Sequence, residues 1–459
     1  MWVFLNLFAM KKLLFRLAVG AVAILGCQCG SRQSTDFQEF KVEHRWKVFS
    51  SAGVSVSDSL VASFGYVPTK AFDAVLPATV MGVLRQNGLY ADAFVGDNLA
   101  RIDTAQFRVA WWYRSEFKID TLDDGFYELD FEGINYKAEV WINGKLVDNT
   151  LESPYRRFQL DVSHLLKSGV NVLAVKILPP QKSDLSIGFV DWNPPAPDLN
   201  MGIWRPVGLH KTRGVRLRNL FVESDFELGS IKTASLRVGV DVENLSAESR
   251  EVSVSLLFGK QVFARKVSLL PGDKTRVFLD ATDFGALRIV SPKLWWPNGM
   301  GAPNLYHLAV TAAVDGVFSD RVETDFGVRK IEQYLTPTGD KGWKVNGEKV
   351  LVKGAGWVDD LFLTNDSTKV QAQVAYAKHM NLNLIRLEGF WGSTGALYDY
   401  ADRNGILLMV GWSCQWEWNA YCHRPEDQYI AIRTPEDMAL QTQGYIDQVL
   451  WLRNHPSVL

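Results

Sequence analysis

The chain has 459 residues, enough for roughly three domains of ordinary size, and 47% are hydrophobic, so a sizeable core is available. Its 49 basic and 51 acidic residues leave a net charge of −2. That balance lacks the basic surplus of an extended nucleic-acid footprint, and no nucleic-acid partner is expected. The 16 Trp and 14 Tyr suit the apolar faces of sugars, and they equally suit the packed core of β-sandwiches.

The first segment reads as a targeting sequence. MKKLLFRLAVGAVAILGC (10–27) has a basic start, an apolar stretch and a small residue before Cys27. Ile24-Leu25-Gly26-Cys27 has the form of a bacterial lipobox, and Met10 gives a cleaner start than Met1. Arg16 interrupts an apolar run already too short to span a bilayer. The expectation is a signal peptide over 1–27, lipidation of Cys27, and an exported lipoprotein on the periplasmic or cell-surface side, touching the membrane through its lipid alone. Residues 28–44 are polar and read as a linker. Cys29 lies in that tether, and Cys414 and Cys422 either form a disulfide or remain free thiols. Zinc spacing is absent, so no metal and no cofactor is expected.

From 45 to 215 the pattern is strands and turns. YELDFEG (127–133) alternates apolar and polar residues, VNVLAVKIL (170–178) is a further strand, and Asn143-Gly144 divides AEVWINGKLV (138–147) as a hairpin turn. This predicts a jelly-roll β-sandwich. From 216 to 330, SLRVGVDVEN (235–244) and VSVSLLF (252–258) follow at the spacing of an immunoglobulin-like sandwich, whose last strand is expected to contain FGVRK (326–330).

From 331 the chain becomes α/β. WKVNGEKVLVKG (343–354) carries another Asn-Gly hairpin. Then VLVKGAG (350–356), LIRLEG (384–389) and ILLMVG (406–411) alternate with helices. Asp366 or Ser367 caps a helix with Val370, Val374 and Ala377 on its apolar face. Thr434-Pro435-Glu436-Asp437 opens another, continued by Tyr445, Val449 and Leu452. Buried parallel strands with crossover helices predict the first half of a (β/α)8 barrel, ending at the start of strand 4. A doubly wound sheet is the alternative, but no Gly-rich phosphate loop follows any strand. An open parallel edge leaves unpaired backbone groups, so the chain is expected to be the front part of a larger protein.

Several stretches carry a family resemblance. They include ATVMGVLRQNGLYADAFVGDNL (78–99), FRVAWWYRSEF (107–117), VWINGK (140–145), GFVDWNPPAPDLNMGIWRPV (188–207), LWWPNGMG (294–301), VKGAGWVDDLF (352–362), RLEG (386–389) and RNHPSV (453–458). In this order they resemble glycoside hydrolase family 2, in the branch of exo-β-D-glucosaminidases and plant-type endo-β-mannosidases. The resemblance implies a retaining β-glycosidase acting on an oligosaccharide or glycan. Its acid/base carboxylate would come just after Leu459, beyond the RNHPSV stretch, and its nucleophile later, so neither catalytic residue is expected within this chain. Retaining hydrolysis needs both carboxyls about 5 Å apart, and no Asp or Glu pair present is assigned that role.

Part of the substrate pocket is expected here, because barrel sites gather at the C-terminal ends of the strands. Asp359 and Asp360 follow strand 1, Glu388 ends strand 2, and Trp412, Trp416, Glu417 and Trp418 follow strand 3. The resemblance adds Asp191 and Trp192, in a jelly-roll loop that reaches the sugar in relatives of this type. Carboxylates would bind hydroxyl or amino groups, tryptophans would stack, and Arg386 would hold carboxylates in place; ion pairing within the barrel is the alternative use. His307, His379, His423 and His455 are isolated, and His455 is expected to order the approach to strand 4. Ser413 stands where glucosaminidase-like relatives tend to carry an acid, which weakens recognition of a cationic amino sugar. The choice between β-glucosaminides and β-mannosides therefore stays open. The rival reading is a non-catalytic carbohydrate-binding lipoprotein. Nothing in the chain fixes an oligomeric state.

Overall fold

The period-two segments fold as two antiparallel sandwiches, followed by a parallel unit. In this computed structural model the structure describes residues 40–41, 46–181, 184–188, 193–364, 366–389, 392–412, 432 and 434–459. Residues 1–27, expected to be a signal peptide with Cys27 at its end, together with Cys29, Cys414, Cys422 and His423, lie outside the described residues. Among those described, no helix is long and apolar enough to cross a membrane.

In the first sandwich a six-stranded sheet centres on Trp111–Ile119 and Gly169–Leu178, and a four-stranded sheet centres on Val207–Thr212 and Phe126–Phe131. The expected hairpin joins Lys137–Ile142 to Lys145–Glu152. Asn143 and Gly144 both take positive φ, 51° and 81°, as the tight turn requires. Asn143 is also fastened by its amide to the carbonyl of Leu165 at 2.9 Å.

The second sandwich pairs Val215–Asp225, Thr233–Asn244 and Lys274–Asp280 in one sheet. Its other sheet holds Gln261–Leu269, Arg250–Phe258, Tyr306–Val314 and Val317–Phe326. The expected final strand over 326–330 is a correction: pairing in this sheet stops at Phe326, and Val328 makes only an isolated bridge to Leu294. The cause is close packing at Gly327, where a Cβ would stand 2.7 Å from both Trp295 and Pro456. The chain leaves the sheet there and enters a three-stranded meander of Ile331–Leu335, Lys341–Val345 and Glu348–Val350.

That meander also divides the strand expected over 350–356. Val350 closes the hairpin, and a separate strand, Gly354–Trp357, starts the parallel sheet. Asn383 secures the link between them: its amide donates to Leu351 O at 2.9 Å and its Oδ1 accepts Lys353 N at 2.8 Å. Gly354–Trp357, Leu384–Leu387 and Leu407–Val410 run parallel and in register, so that Trp357, Leu387 and Val410 end together.

Helix Ser367–His379 is capped by Asp366 and buries Val370, Val374 and Ala377 as expected. Helix Ala396–Asn404 stops at Gly405, whose φ of 69° suits a glycine C-cap. Helix Pro435–Leu452 opens with a reciprocal capping box between Thr434 and Asp437. Its buried face differs from the expected one: Gln441, Gly444 and Gln448 are buried with Leu452, while Tyr445 and Val449 are exposed. The helix docks on the first sandwich through polar contacts and a glycine, which an apolar count overlooks.

After this helix, Val458 bridges Leu408 in parallel, and Leu408 N donates to Ser457 O at 2.7 Å. Leu459 extends the pairing, its N–H donating to Leu408 O at 3.0 Å. His455 has the ordering role expected of it. Its Nδ1 lies 2.7 Å from Asp402 Oδ2, while Asp402 Oδ1 accepts Ser457 N at 2.9 Å.

The apolar core of the first sandwich continues into the parallel unit through Leu361, Phe362, Leu363, Leu387 and Leu452. The second sandwich has its own core, built from residues such as Leu236, Val240, Leu256 and Val310.

Candidate active site

Because the three parallel strands end together, the residues that follow them emerge on one edge. Gly411 permits this convergence. Its N–H donates to Leu387 O at 2.9 Å, and a Cβ at this position would lie 2.6 Å from the same oxygen.

Arg386 on the middle strand and Glu388, one residue past its end, form an ion pair. Glu388 stands over Gly356 of the neighbouring strand, where a Cβ would come within 3.9 Å of its Oε1. The Glu388 side chain keeps 22% exposure and Arg386 keeps 55%. This pair is therefore reachable from solvent, and it fits both uses expected of Arg386, holding a carboxylate in place and ion pairing within the parallel unit.

The two aspartates after the first strand behave differently. Asp359 is buried at 6% exposure. Its Oδ1 accepts Asp360 N at 2.8 Å and its Oδ2 accepts Gly392 N at 3.0 Å. It therefore ties the loop after strand 1 to the loop after strand 2. Asp360 turns back into its own loop, accepting Phe362 N at 3.1 Å and the Thr364 hydroxyl at 2.9 Å, with Lys369 Nζ 3.4 Å away. Both carboxylates are engaged in contacts within and between these loops.

Trp412 is half-buried between two aromatic rings. Tyr155 of the first sandwich lies 5.7 Å away and Tyr445 of helix Pro435–Leu452 lies 5.3 Å away, edge-on. Asp191, Trp192, Ser413, Trp416, Glu417 and Trp418 fall outside the described residues.

Leu459, the position after which the acid/base is expected, is itself no part of the pocket chemistry. It packs with Val350, Leu384 and Leu407 in a small apolar cluster beneath the parallel sheet, so its role is structural.

The supporting partners come from the first sandwich, and sequence reasoning assigned them no role. Asn200 donates from Nδ2 to Leu361 O at 2.7 Å, and Thr79 donates from its hydroxyl to Phe362 O at 3.2 Å. Asp198 orders the same segments: it accepts Met81 N at 2.7 Å and Asn200 N at 3.0 Å. Burial pushes the Asp198 carboxyl up to about 6, although these donors favour its charged form.

Arg205 is 2% exposed and sandwiched between Trp204 and Trp451, 4.1 and 4.4 Å from their ring centroids. Its Nε donates to Gly392 O at 3.2 Å and its Nη1 to Gln448 Oε1 at 2.7 Å. Gln448 in turn donates to Tyr155 O at 2.6 Å. The one signal available was the presence of Thr79, Asp198, Asn200 and Arg205 inside the stretches 78–99 and 188–207.

On distance alone Asp399, Asp402 and His455 could share a cation. Asp402 and His455 are already joined to each other and to Ser457 N, however, which accounts for them without one. Chemically, the described strand ends offer a carboxylate paired with an arginine. It can bind hydroxyl or amino groups.

Comparison with known proteins agrees with this architecture. The family model described as glycosyl hydrolase 2 galactose-binding domain-like matches residues 61–186, and the one described as glycosyl hydrolases family 2 matches residues 215–329. An exo-β-D-glucosaminidase of Streptomyces avermitilis is 36% identical over 90% of this chain and 46% of its own length. A mannosylglycoprotein endo-β-mannosidase of Lilium longiflorum is 30% identical over 84% of this chain and 43% of its own length. The crystal structure of Amycolatopsis orientalis exo-chitosanase CsxA superposes with a TM-score of 0.83 at 32% identity, covering 92% of this chain and 48% of that one. The chain thus spans about half the length of the curated relatives it matches. With both sandwiches matched in order, the chain belongs to glycoside hydrolase family 2.

Proposed function

We propose that this chain supplies the front part of a retaining β-glycosidase, including one wall of its sugar-binding pocket. The parallel unit is read as the opening of a (β/α)8 barrel, the two sandwiches as jelly-roll and immunoglobulin-like modules, and the catalytic carboxylate pair as following Leu459. The observation that carries the reading is the reachable Glu388–Arg386 pair at the convergent ends of three parallel strands. A carboxylate oriented in this way recognises a hydroxyl or an amino group of a sugar. β-Glucosaminides and β-mannosides are the substrate classes, since relatives named for both align over most of the chain. Export as a lipoprotein, with lipid on Cys27, belongs to the same reading. Asp191, Trp192, Glu417 and Trp418 are kept as contacts to the sugar.

The test is hydrolysis of p-nitrophenyl β-glucosaminide and β-mannoside by the whole protein and its Glu388→Gln variant. Losing a charge-assisted hydrogen bond of about 1.5–3 kcal/mol lowers kcat/KM roughly ten- to hundredfold. An unchanged kcat/KM removes Glu388 from the pocket. Glycan binding without any hydrolysis favours the non-catalytic alternative.

A further inference from the structure

The loops after the first two parallel strands carry the candidate pocket, yet much of what holds them comes from another part of the chain. Asn200 and Thr79 donate to the carbonyls of Leu361 and Phe362, immediately after Asp359 and Asp360. Arg205 donates to Gly392 O, while the N–H of the same glycine donates to Asp359 Oδ2. Thr79, Asn200 and Arg205 are all essentially buried, so water does not replace these donors if they are lost.

The geometry at each point is demanding. Asn200 adopts a φ of 55° and Gly392 a φ of 97°, and a Cβ on Gly392 would sit 3.0 Å from Thr394 O. Arg205 is held flat between two indole rings, which fixes the direction of its donors in a way a lysine stem would not. Asp359 is therefore approached along two routes, through Asn200 and its own loop, and through Arg205 and Gly392. We infer that Asn200 and Arg205 are positioning residues, by which the first sandwich sets the spacing between the loops that flank the sugar pocket. This inference rests on the glycosidase reading only for its consequence in catalysis; the mechanical part stands apart from it.

Two kinds of variant separate positioning from folding. Asn200→Gly keeps the left-handed backbone and deletes one donor. Arg205→Lys keeps charge and a donor but loses the planar fork, and Arg205→Met loses both. Amide hydrogen exchange is followed by peptide in the whole protein. The expected result is at least tenfold faster exchange at 359–364 in Asn200→Gly and at 392–395 in Arg205→Met, with 235–258 of the second sandwich unchanged. Arg205→Lys should recover part of that protection.

On p-nitrophenyl β-glucosaminide or β-mannoside, both loop-loosening variants should raise KM several-fold with a smaller change in kcat, because recognition is what the loops supply. Exchange that is unaltered at those segments, or faster uniformly across the chain, overturns the inference. A lowered melting temperature with KM unchanged overturns it as well, leaving a purely structural role. If the parent protein hydrolyses neither probe, the glycosidase reading fails while the exchange data still decide the mechanical claim.

Discussion

Asp198 sits in an environment that disfavours its own charge. It is 1% exposed, and burial lifts its carboxyl from 3.8 to about 6, against the pull of the Met81 and Asn200 N–H groups. In the unfolded chain it returns to the ordinary value, so between these two pH values the folded state holds a proton that the unfolded state has released. Stability from this group is therefore fully present below 3.8 and is lost as pH rises to about 6, with no further change above. Asp198→Asn should remove that decline from urea-melt stabilities at pH 4, 5, 6 and 7, while costing about 1–3 kcal/mol overall, because one N–H loses its acceptor. Parallel curves for parent and variant would refute the assignment. His455 acts in a separate window. Burial lowers its pKa, but the Asp402 hydrogen bond and the charges of Asp402, Asp399 and Asp325 raise it more, so its contribution fades only as pH climbs above 6.5. None of this could be read from the chain. The partners of Asp198, Asn200 and Arg205 lie 117, 161 and 243 positions away, and a polar residue does not advertise a distant partner. The Glu388–Arg386 contact, by contrast, is local: it needs only a strand end and a spacing of two.

Helix Pro435–Leu452 shows why local pattern succeeded at its start and failed along its side. Thr434, Pro435 and Asp437 act within one turn, so the capping box follows from sequence alone. Which face is buried depends on the surface opposite, and here that surface is polar. Arg156 Nε and Arg157 N both reach Asp447 at 3.0 Å, Gln448 links Arg205 to Tyr155 O, and Gly444 brings the backbone close to Tyr155. The same contrast explains the strand over 350–356, where Asn383 rather than hydrophobicity decides the break. The tight approach at Gly444 gives a graded prediction. A Cβ there would stand 3.5 Å from Tyr155 Cβ, 3.7 Å from Ser153 Oγ and 3.9 Å from Trp412, all ordinary contacts. Gly444→Ala should therefore be neutral or stabilising by up to about 1 kcal/mol, through helix propensity. Gly444→Leu must push the helix off the sandwich and should cost about 1–3 kcal/mol. Val449→Ala, on the exposed face, should cost under about 1 kcal/mol. Denaturant melts of the three variants check the order, and a Val449→Ala loss exceeding that of Gly444→Leu would reverse the assigned faces.

The distribution of apolar packing divides the chain differently from its sequence order. The first sandwich and the parallel unit are separated by about a hundred residues of second sandwich, yet they share one large core through Phe362, Leu363 and Leu387; the second sandwich has a core of its own and meets the parallel unit in a smaller apolar cluster of Trp295, Val345, Val350, Leu384 and Leu407. The contacts between the two sandwiches are largely polar: Arg216 and Arg218 engage Glu128, and His210 lies 3.0 Å from Asp320. A large continuous apolar core melts as a unit, whereas a polar seam and one small apolar cluster hold the second sandwich less strongly. Unfolding should accordingly show two transitions, with the first sandwich and parallel unit in one and the second sandwich in the other. Phe362→Ala and Leu173→Ala, in distant parts of the shared core, should lower the same transition, each by about 2–5 kcal/mol. Leu256→Ala should lower the other and leave the first within about 0.5 kcal/mol, since the sites have no common partners. Calorimetry with fragment-resolved hydrogen exchange identifies which segment melts in which step. If Phe362→Ala shifts a transition that Leu173→Ala leaves in place, the shared core does not act as one unit, and the first sandwich could not hold the pocket loops as rigidly as Asn200 and Arg205 require.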